Sequence, residues 1–431
     1  MIVPKSPLFI LSLGAALLVT PRASCADEPS PPASGEKLTL AAAITEAVLQ
    51  SPALRVIDAE VEAARGEVLT AQTRPSPELS FTPGLKHVRE PGNSHNEFKG
   101  SVALSQVFLF PGRRELLISI AQRNVELRKL GIEGLRFQLA AAVRKSFYEL
   151  LAAQSIIALR QQQIESARTF QQSAAKRAES GYASDFEAVK SQGEVINAQK
   201  LLRMAEGQIA SARVELNALL GRDPLAPLEI AGTLDSAPTE RPLPALLSLA
   251  YERNPSIRVQ EMQAEIAGMN VRKTRLARRP DYAIGPALEY SRSEQVIGLS
   301  ATISLPRKNY GQGEILTATS EQRRALAEIE RLRREIAGAV AKASTQLATA
   351  HSLLTLYPQP YLDQLKAVVE QAERSYAQNA TSLLIYLDAK RTYFDTLASY
   401  YEAIGNAAAS RAELESALGV PLESIPSLST P

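Results

Sequence analysis

The strongest constraint on this chain is that it is built twice. Ala47, Pro52, Arg55 and Val56 recur as Ala250, Pro255, Arg258 and Val259, an offset of 203. Leu104-Ser105 and Pro111 recur as Leu299-Ser300 and Pro306, an offset of 195. Arg213, Glu215, Leu216 and Gly221 recur as Arg411, Glu413, Leu414 and Gly419, an offset of 198. The matches keep their order, and the offsets differ by what a loop gains or loses. The repeats are expected at 36–222 and 244–422, joined by a Pro-rich segment at 223–243 that serves as a linker or small cap. Each half must therefore fold as the same supersecondary unit.

Both halves read as helix, two strands, long helix, turn, helix. Strands are expected at about 77–88 and 97–110, then at 281–292 and 294–305. In the first, Leu79, Phe81, Pro83 and Leu85 alternate with Glu78, Ser80, Thr82 and Lys86. Such period-2 runs fit strands that cross a membrane barrel, although a strand with one face on a soluble core has the same pattern. The helices tilt the balance. No proline interrupts residues 112–180, and Leu135, Leu139, Val143, Phe147, Leu150, Ala153 and Ile157 step by three or four. At 1.5 Å per residue that rod is about 100 Å long, longer than a globular domain needs. The second half repeats it at about 312–378, where Pro358 and Pro360 must kink or break it. Four strands per chain cannot close a barrel in lipid, so several chains must share one. The fold class expected is mainly α with a membrane β part.

The N-terminus sets the compartment. Lys5 precedes twelve mostly apolar residues, 8–19, too short to span a bilayer, and small residues follow to Ala26. Residues 1–26 read as a secretory signal peptide, with 27–35 a disordered linker and 423–431 a tail. Cys25 is the alternative mature N-terminus if it is lipidated, but Arg22 stands where a lipoprotein signal has an aliphatic residue. Lys+Arg of 48 against Asp+Glu of 46 leaves no basic stripe for nucleic acid. Three His and one Cys are poor stock for a metal centre or a disulfide framework. No Gly-rich phosphate loop or Ser/His/Asp grouping is present, so neither an enzyme nor a cofactor is expected.

The segments that close each strand pair carry a family resemblance. Leu104-Ser105-Gln106 with Phe110-Pro111-Gly112-Arg113-Arg114 resembles the strand-to-helix junction of the TolC-type outer-membrane efflux proteins. Leu305-Pro306-Arg307-Lys308-Asn309-Tyr310-Gly311-Gln312-Gly313 is similar to its partner in the second half, in the form typical of the heavy-metal, CzcC-like branch. Tyr376 to Ser382, followed by Leu387-Asp388-Ala389, resembles the family's tip motif, with Asn379 where a Gly is usual. The resemblance implies a homotrimer whose β-barrel continues into an α-helical barrel in the periplasm. It implies a passive duct for metal ions or other small solutes, working with a periplasmic adaptor (membrane fusion protein) and an inner-membrane efflux pump. A periplasmic coiled-coil adaptor or scaffold is the alternative, disfavoured by the duplicated strands.

Candidate sites follow from that resemblance. Gly181, Ser184, Asn379 and Ser382 are the expected adaptor-docking positions at the periplasmic tips. The multidrug branch lines its closed mouth with two carboxylates three residues apart; here the first position is Ile385 and only Asp388 is acidic. Asp388 is the candidate gate, and pairing with Arg391 or capping of local backbone is the competing reading. His87 and His95, flanking an expected outer loop at 89–96, read as solvated rather than as metal ligands, and His351 as a packing or surface residue. The cluster Arg272, Lys273, Arg275, Arg278 and Arg279 reads as a solvated helix face, with a barrel–helix junction as the alternative.

Overall fold

The computed structural model describes residues 37–179, 185–234, 241–292, 294–305 and 310–422. The expected signal peptide with Cys25, the linker, the tail, Gly181, Ser184 and the junction residues 306–309 lie outside them.

The dipeptides that mark the repeat become helix breaks. Helix α1 (Leu40–Gln50) ends at Ser51, and α2 (Pro52–Gln72) begins on a proline, whose missing N–H costs nothing in a first turn. In the second half α5 (Leu243–Arg253) ends at Asn254, whose side chain accepts from the Ser256 amide and caps α6 (Pro255–Leu276). Gly419, at φ 80°, closes the last helix against that same break: a Cβ there would lie 2.7 Å from the Asn254 Cα. Sequence identity between the halves therefore sits where a helix break meets the end of another helix.

The strands are β1 (Glu78–Glu90), β2 (Asn93–Phe108), β3 (Tyr282–Ser291) and β4 (Gln295–Ile303). They form one antiparallel sheet in the order β1-β2-β3-β4, so β2–β3 pairing joins the halves and β1 and β4 are edges. β2 starts at Asn93 rather than near 97, because a turn at Pro91-Gly92 replaces the expected outer loop. The register separates two faces. One carries Leu79, Phe81, Leu85, Phe98, Val102, Leu104, Leu288, Ile297 and Leu299; the other carries Ser80, Thr82, Ser101, Ala103, Ala287, Gly298, Ser300 and Thr302. Phe108 and Tyr282 stack at 5.4 Å on the apolar face, at its helix-proximal end.

From the sheet run α3 (Arg113–Glu179) and its return α4 (Asp185–Leu220), then α7 (Gln312–Leu354), α8 (Gln359–Ala377) and α9 (Leu383–Leu418). α3 has 67 residues, about 100 Å. The second rod breaks after Leu354 and restarts behind Pro358, as the prolines require. α3 packs between α4 and α9, and α9 packs between α3 and α7. α4 and α7 thus lie at the two edges of a helical layer. Val143, Phe147 and Leu150 of α3 are buried with Ala43, Ala47, Leu216, Leu228 and Ile230, each large side chain contributing about 2 kcal/mol. The Pro-rich segment is therefore a packed cap as well as a connection: Leu38 bridges Ile230, and both join that core. No single helix among the described residues is long and apolar enough to cross a membrane.

Candidate functional site at the sheet junction and the helical tips

Where sheet becomes rod, one carboxylate ties the two halves. Asp281, just before β3, accepts from the Phe110 amide at 2.9 Å and pairs with Arg113 at 2.6 Å. Arg114 donates to the Gln72 carbonyl. The basic cluster is solvated, with Arg272, Arg275, Arg278 and Arg279 exposed. It also lies at the sheet junction, over the end of α6 and the approach to β3, and Arg279 lies 5.7 Å over the Phe110 ring. His87 and His95 fall on strands, not in a loop, and on opposite faces, because His87 pairs with Asn96 and His95 with Val88. They cannot share a ligand. His351 sits in the last turn of α7, half-buried.

At the other end of the rods, the second tip turns at Asn379, which has φ 60° and is the non-glycine residue at positive φ among those described. The Ala380 amide donates to Ser375 and the Asn379 amide to Tyr376, the paired bonds of a Schellman closure. Glycine normally holds that place; Asn tolerates it through its short polar side chain. Here the side chain is used, since Arg177 of α3 donates to the Asn379 Oδ1. Ser382 then caps α9, its Oγ accepting from the Ile385 amide.

Four helix ends meet above this turn. Tyr376 and Tyr386 stack at 5.1 Å, and Phe170 tilts against both. Arg177 lies 4.8 Å over Tyr376, and Lys390 lies 4.8 Å over Tyr386. The Tyr376 hydroxyl donates to Glu187 of α4 at 3.0 Å, and the Tyr386 hydroxyl to Glu373 of α8 at 3.4 Å. Burial, then the Glu187 carboxylate, pushes the Tyr376 phenol up to about 12. Burial likewise raises the Tyr386 phenol and lowers the Lys390 ammonium, the latter opposed by Glu373 and Glu194. The sequence reading missed Phe170, Arg177, Tyr386 and Lys390 as a group. Their one signal was aromatic and basic residues within three turns of each tip.

Outside that knot the tips are apolar and open. Phe186 of α4 is 71% exposed and Leu384 of α9 is 75% exposed, beside a cleft of about 480 Å³ between α4 and the Asn379 turn. Asp388 lies on the exposed face of α9 with Ile385 and Arg391. It makes no ion pair with any described residue, so the local Arg391 pairing is not formed.

Comparison with known proteins places this architecture. The family described as outer membrane efflux protein matches residues 43–222 and 246–420. The cobalt-zinc-cadmium resistance protein CzcC of Cupriavidus metallidurans is 26% identical over 387 residues, covering 89% of this chain and 90% of that protein. The probable outer membrane lipoprotein SilC of Salmonella typhimurium is 23% identical over 372 residues, covering 82% and 79%. A crystal structure of CusC superimposes with a TM-score of 0.72 at 19% identity, covering 88% of this chain and 92% of that one.

Proposed function

We infer the function from one premise: the chain belongs to the outer membrane efflux protein family. It is an outer-membrane efflux channel with a periplasmic helical extension, and it works in a tripartite system with adaptor and inner-membrane pump partners. The periplasmic adaptor alternative is disfavoured, because the strand pair occurs in both halves.

The finer reading is a homotrimeric duct for divalent metal ions. The observation that carries the trimer is a four-stranded sheet with two open edges, apolar on one face and lined by small polar residues on the other. Two copies would make eight strands, a barrel whose own side chains fill it; three copies make twelve and leave a passage. Small residues together with mutually paired Lys and Glu on the inner face suit a wetted lumen, and the pump sets the cargo. The metal reading rests on the names of the relatives, a cobalt-zinc-cadmium resistance protein among them. Deleting the gene should raise cell-associated cobalt, zinc and cadmium, and restoring it should lower them. Unchanged metal content with altered export of organic compounds would reject metal as the cargo.

The tips dock the adaptor through Gly181, Ser184, Asn379 and Ser382; among the described residues, Asn379 and Ser382 share a cleft with the exposed Phe186 and Leu384. Cysteine at Ser382 should crosslink to an adaptor hairpin in cells, and cysteine at Gln161, in mid-rod, should not. Asp388 recurs once per copy near the closed mouth, where three carboxylates attract cations. Asp388→Asn should weaken cation preference in planar bilayers and Asp388→Arg should reverse it. Unchanged selectivity in both would remove Asp388 from the gate.

A further inference from the structure

The charges of the sheet are sorted by face. On the inner face lie Glu78, Lys86, Glu97, Lys99, Glu289 and Glu294, with Lys86 reaching both Glu97 and Glu294 and Lys99 pairing with Glu289 at 2.5 Å. The outward face carries no charge from Phe108 and Tyr282 up to Phe98 and Tyr290. From Tyr282 to Tyr290 is about 26 Å along a strand, or about 20 Å of height at barrel tilt, close to the apolar band of such proteins. Beyond the outer aromatic pair the outward positions change character at once. They hold His87 and Arg89 of β1 and Ser94 and Asn96 of β2, and the exposed Arg292 follows in the turn after β3. Arg89 and Arg292 are exposed and make no ion pair with any described residue, and no carboxylate shares the strand face of Arg89; Glu294, in the turn with Arg292, reaches Lys86. The His87 Nδ1 lies 2.7 Å from the Asn96 Oδ1, an acceptor, so the ring donates there.

We propose that this outward rim, Arg89 and Arg292 with His87, Ser94 and Asn96 between them, binds the phosphates of the phosphorylated glycolipid in the outer leaflet. The rods leave the sheet at its Phe108–Tyr282 end and extend into the periplasm, so the opposite rim faces the cell exterior; the proposal rests on that outer-membrane placement. Two strand spacings and four residues of rise separate Arg89 from Arg292 by about 16 Å at Cα. Long flexible arms on those Cα atoms can bracket a disaccharide carrying a phosphate at each end. The hydroxyl and amide between them suit its sugar. Guanidinium forks bind phosphate oxygens in pairs. Without a carboxylate partner among the described residues, these exposed arginines are available to an outside anion, whereas the inner-face lysines already have partners.

The test uses the purified full-length assembly in detergent, titrated with bisphosphoryl lipid A, with its dephosphorylated form, and with inorganic phosphate. At about 1 kcal/mol per arginine near an anionic headgroup, the double variant Arg89→Gln/Arg292→Gln should bind bisphosphoryl lipid A about 30-fold more weakly. Lys99→Gln, on the inner face, should leave binding unchanged. If the double variant fails to assemble, the single variants carry the same test at about fivefold each. Equal affinity of wild type and variant, equal binding of the dephosphorylated lipid, or displacement by millimolar inorganic phosphate would each overturn the proposal. Fractionation of the wild type to the outer membrane is a separate readout, so a failed lipid site is not confused with a failed location.

Discussion

Glu415 is 2% exposed, and its carboxylate holds three elements together. Arg144 of α3 pairs with Oε2 at 2.6 Å, Arg411 approaches Oε1 at 3.6 Å, and the Leu422 amide donates to Oε1 at 3.1 Å. Glu415→Ala removes the acceptor for two hydrogen bonds and leaves a guanidinium with a mostly buried side chain, 21% exposed. Breaking one side of a buried pair costs about 3–5 kcal/mol, and the residual water access of Arg144 places this case near 3 kcal/mol. Glu415→Gln, which keeps the shape and one acceptor, should cost about half as much. Pairing Glu415→Leu with Arg144→Met should recover part of the loss, because the Arg144 charge is then no longer stranded, although Arg411 and the Leu422 amide still lose this acceptor. The assay is the temperature at which the folded, heat-modifiable assembly is lost in gel mobility, with all variants purified alike. Glu415→Ala should melt several degrees below wild type, and the double variant between the two. A single variant as stable as wild type, or a double variant no better than the single, would refute the argument.

Gly285→Ala would place a Cβ 1.7 Å from the Leu104 carbonyl oxygen, inside the β2–β3 pairing that joins the halves. It should cost at least ~2 kcal/mol and reduce assembled protein in the outer membrane, while Gly298→Ala, with open space at its Cβ, should not. Tyr376 has a folded-state pKa of about 12 against 10.0 unfolded, so its contribution is complete below pH 10 and lost as pH rises toward 12. Melting followed from pH 9 to 12 should fall more steeply for wild type than for Tyr376→Phe; parallel curves would remove Tyr376 from the tip knot.

Much of this architecture is readable in residue order. Pro52, Pro255 and Pro358 start helices, Gly221 and Gly419 end them, and period-2 runs mark the strands, because each of these signals is local. The misplaced start of β2 has a local cause as well. Asn93 to Asn96 is polar on both faces, and only pairing with His87, Val88, Arg89 and Glu90 makes it strand. The tip knot and the Glu415 pair were invisible for a different reason. Arg177 meets Asn379 across 202 positions and Arg144 meets Glu415 across 271, and no periodicity in one element announces its partner in another. The basic cluster is the solvated face its composition suggests; its place at the sheet junction, shown by Arg279 over the Phe110 ring, depends on a contact between the halves that composition does not show.

The central claim is that a sheet with two open edges closes only when three copies meet in the outer membrane. The direct measurement is the protein mass of the assembly extracted from outer-membrane fractions, by native mass spectrometry or by light scattering corrected for detergent. The account predicts three copies per particle, collapsing to one on heating in dodecyl sulfate. Recovery as a soluble periplasmic monomer, or an outer-membrane particle of one or two copies, would contradict it.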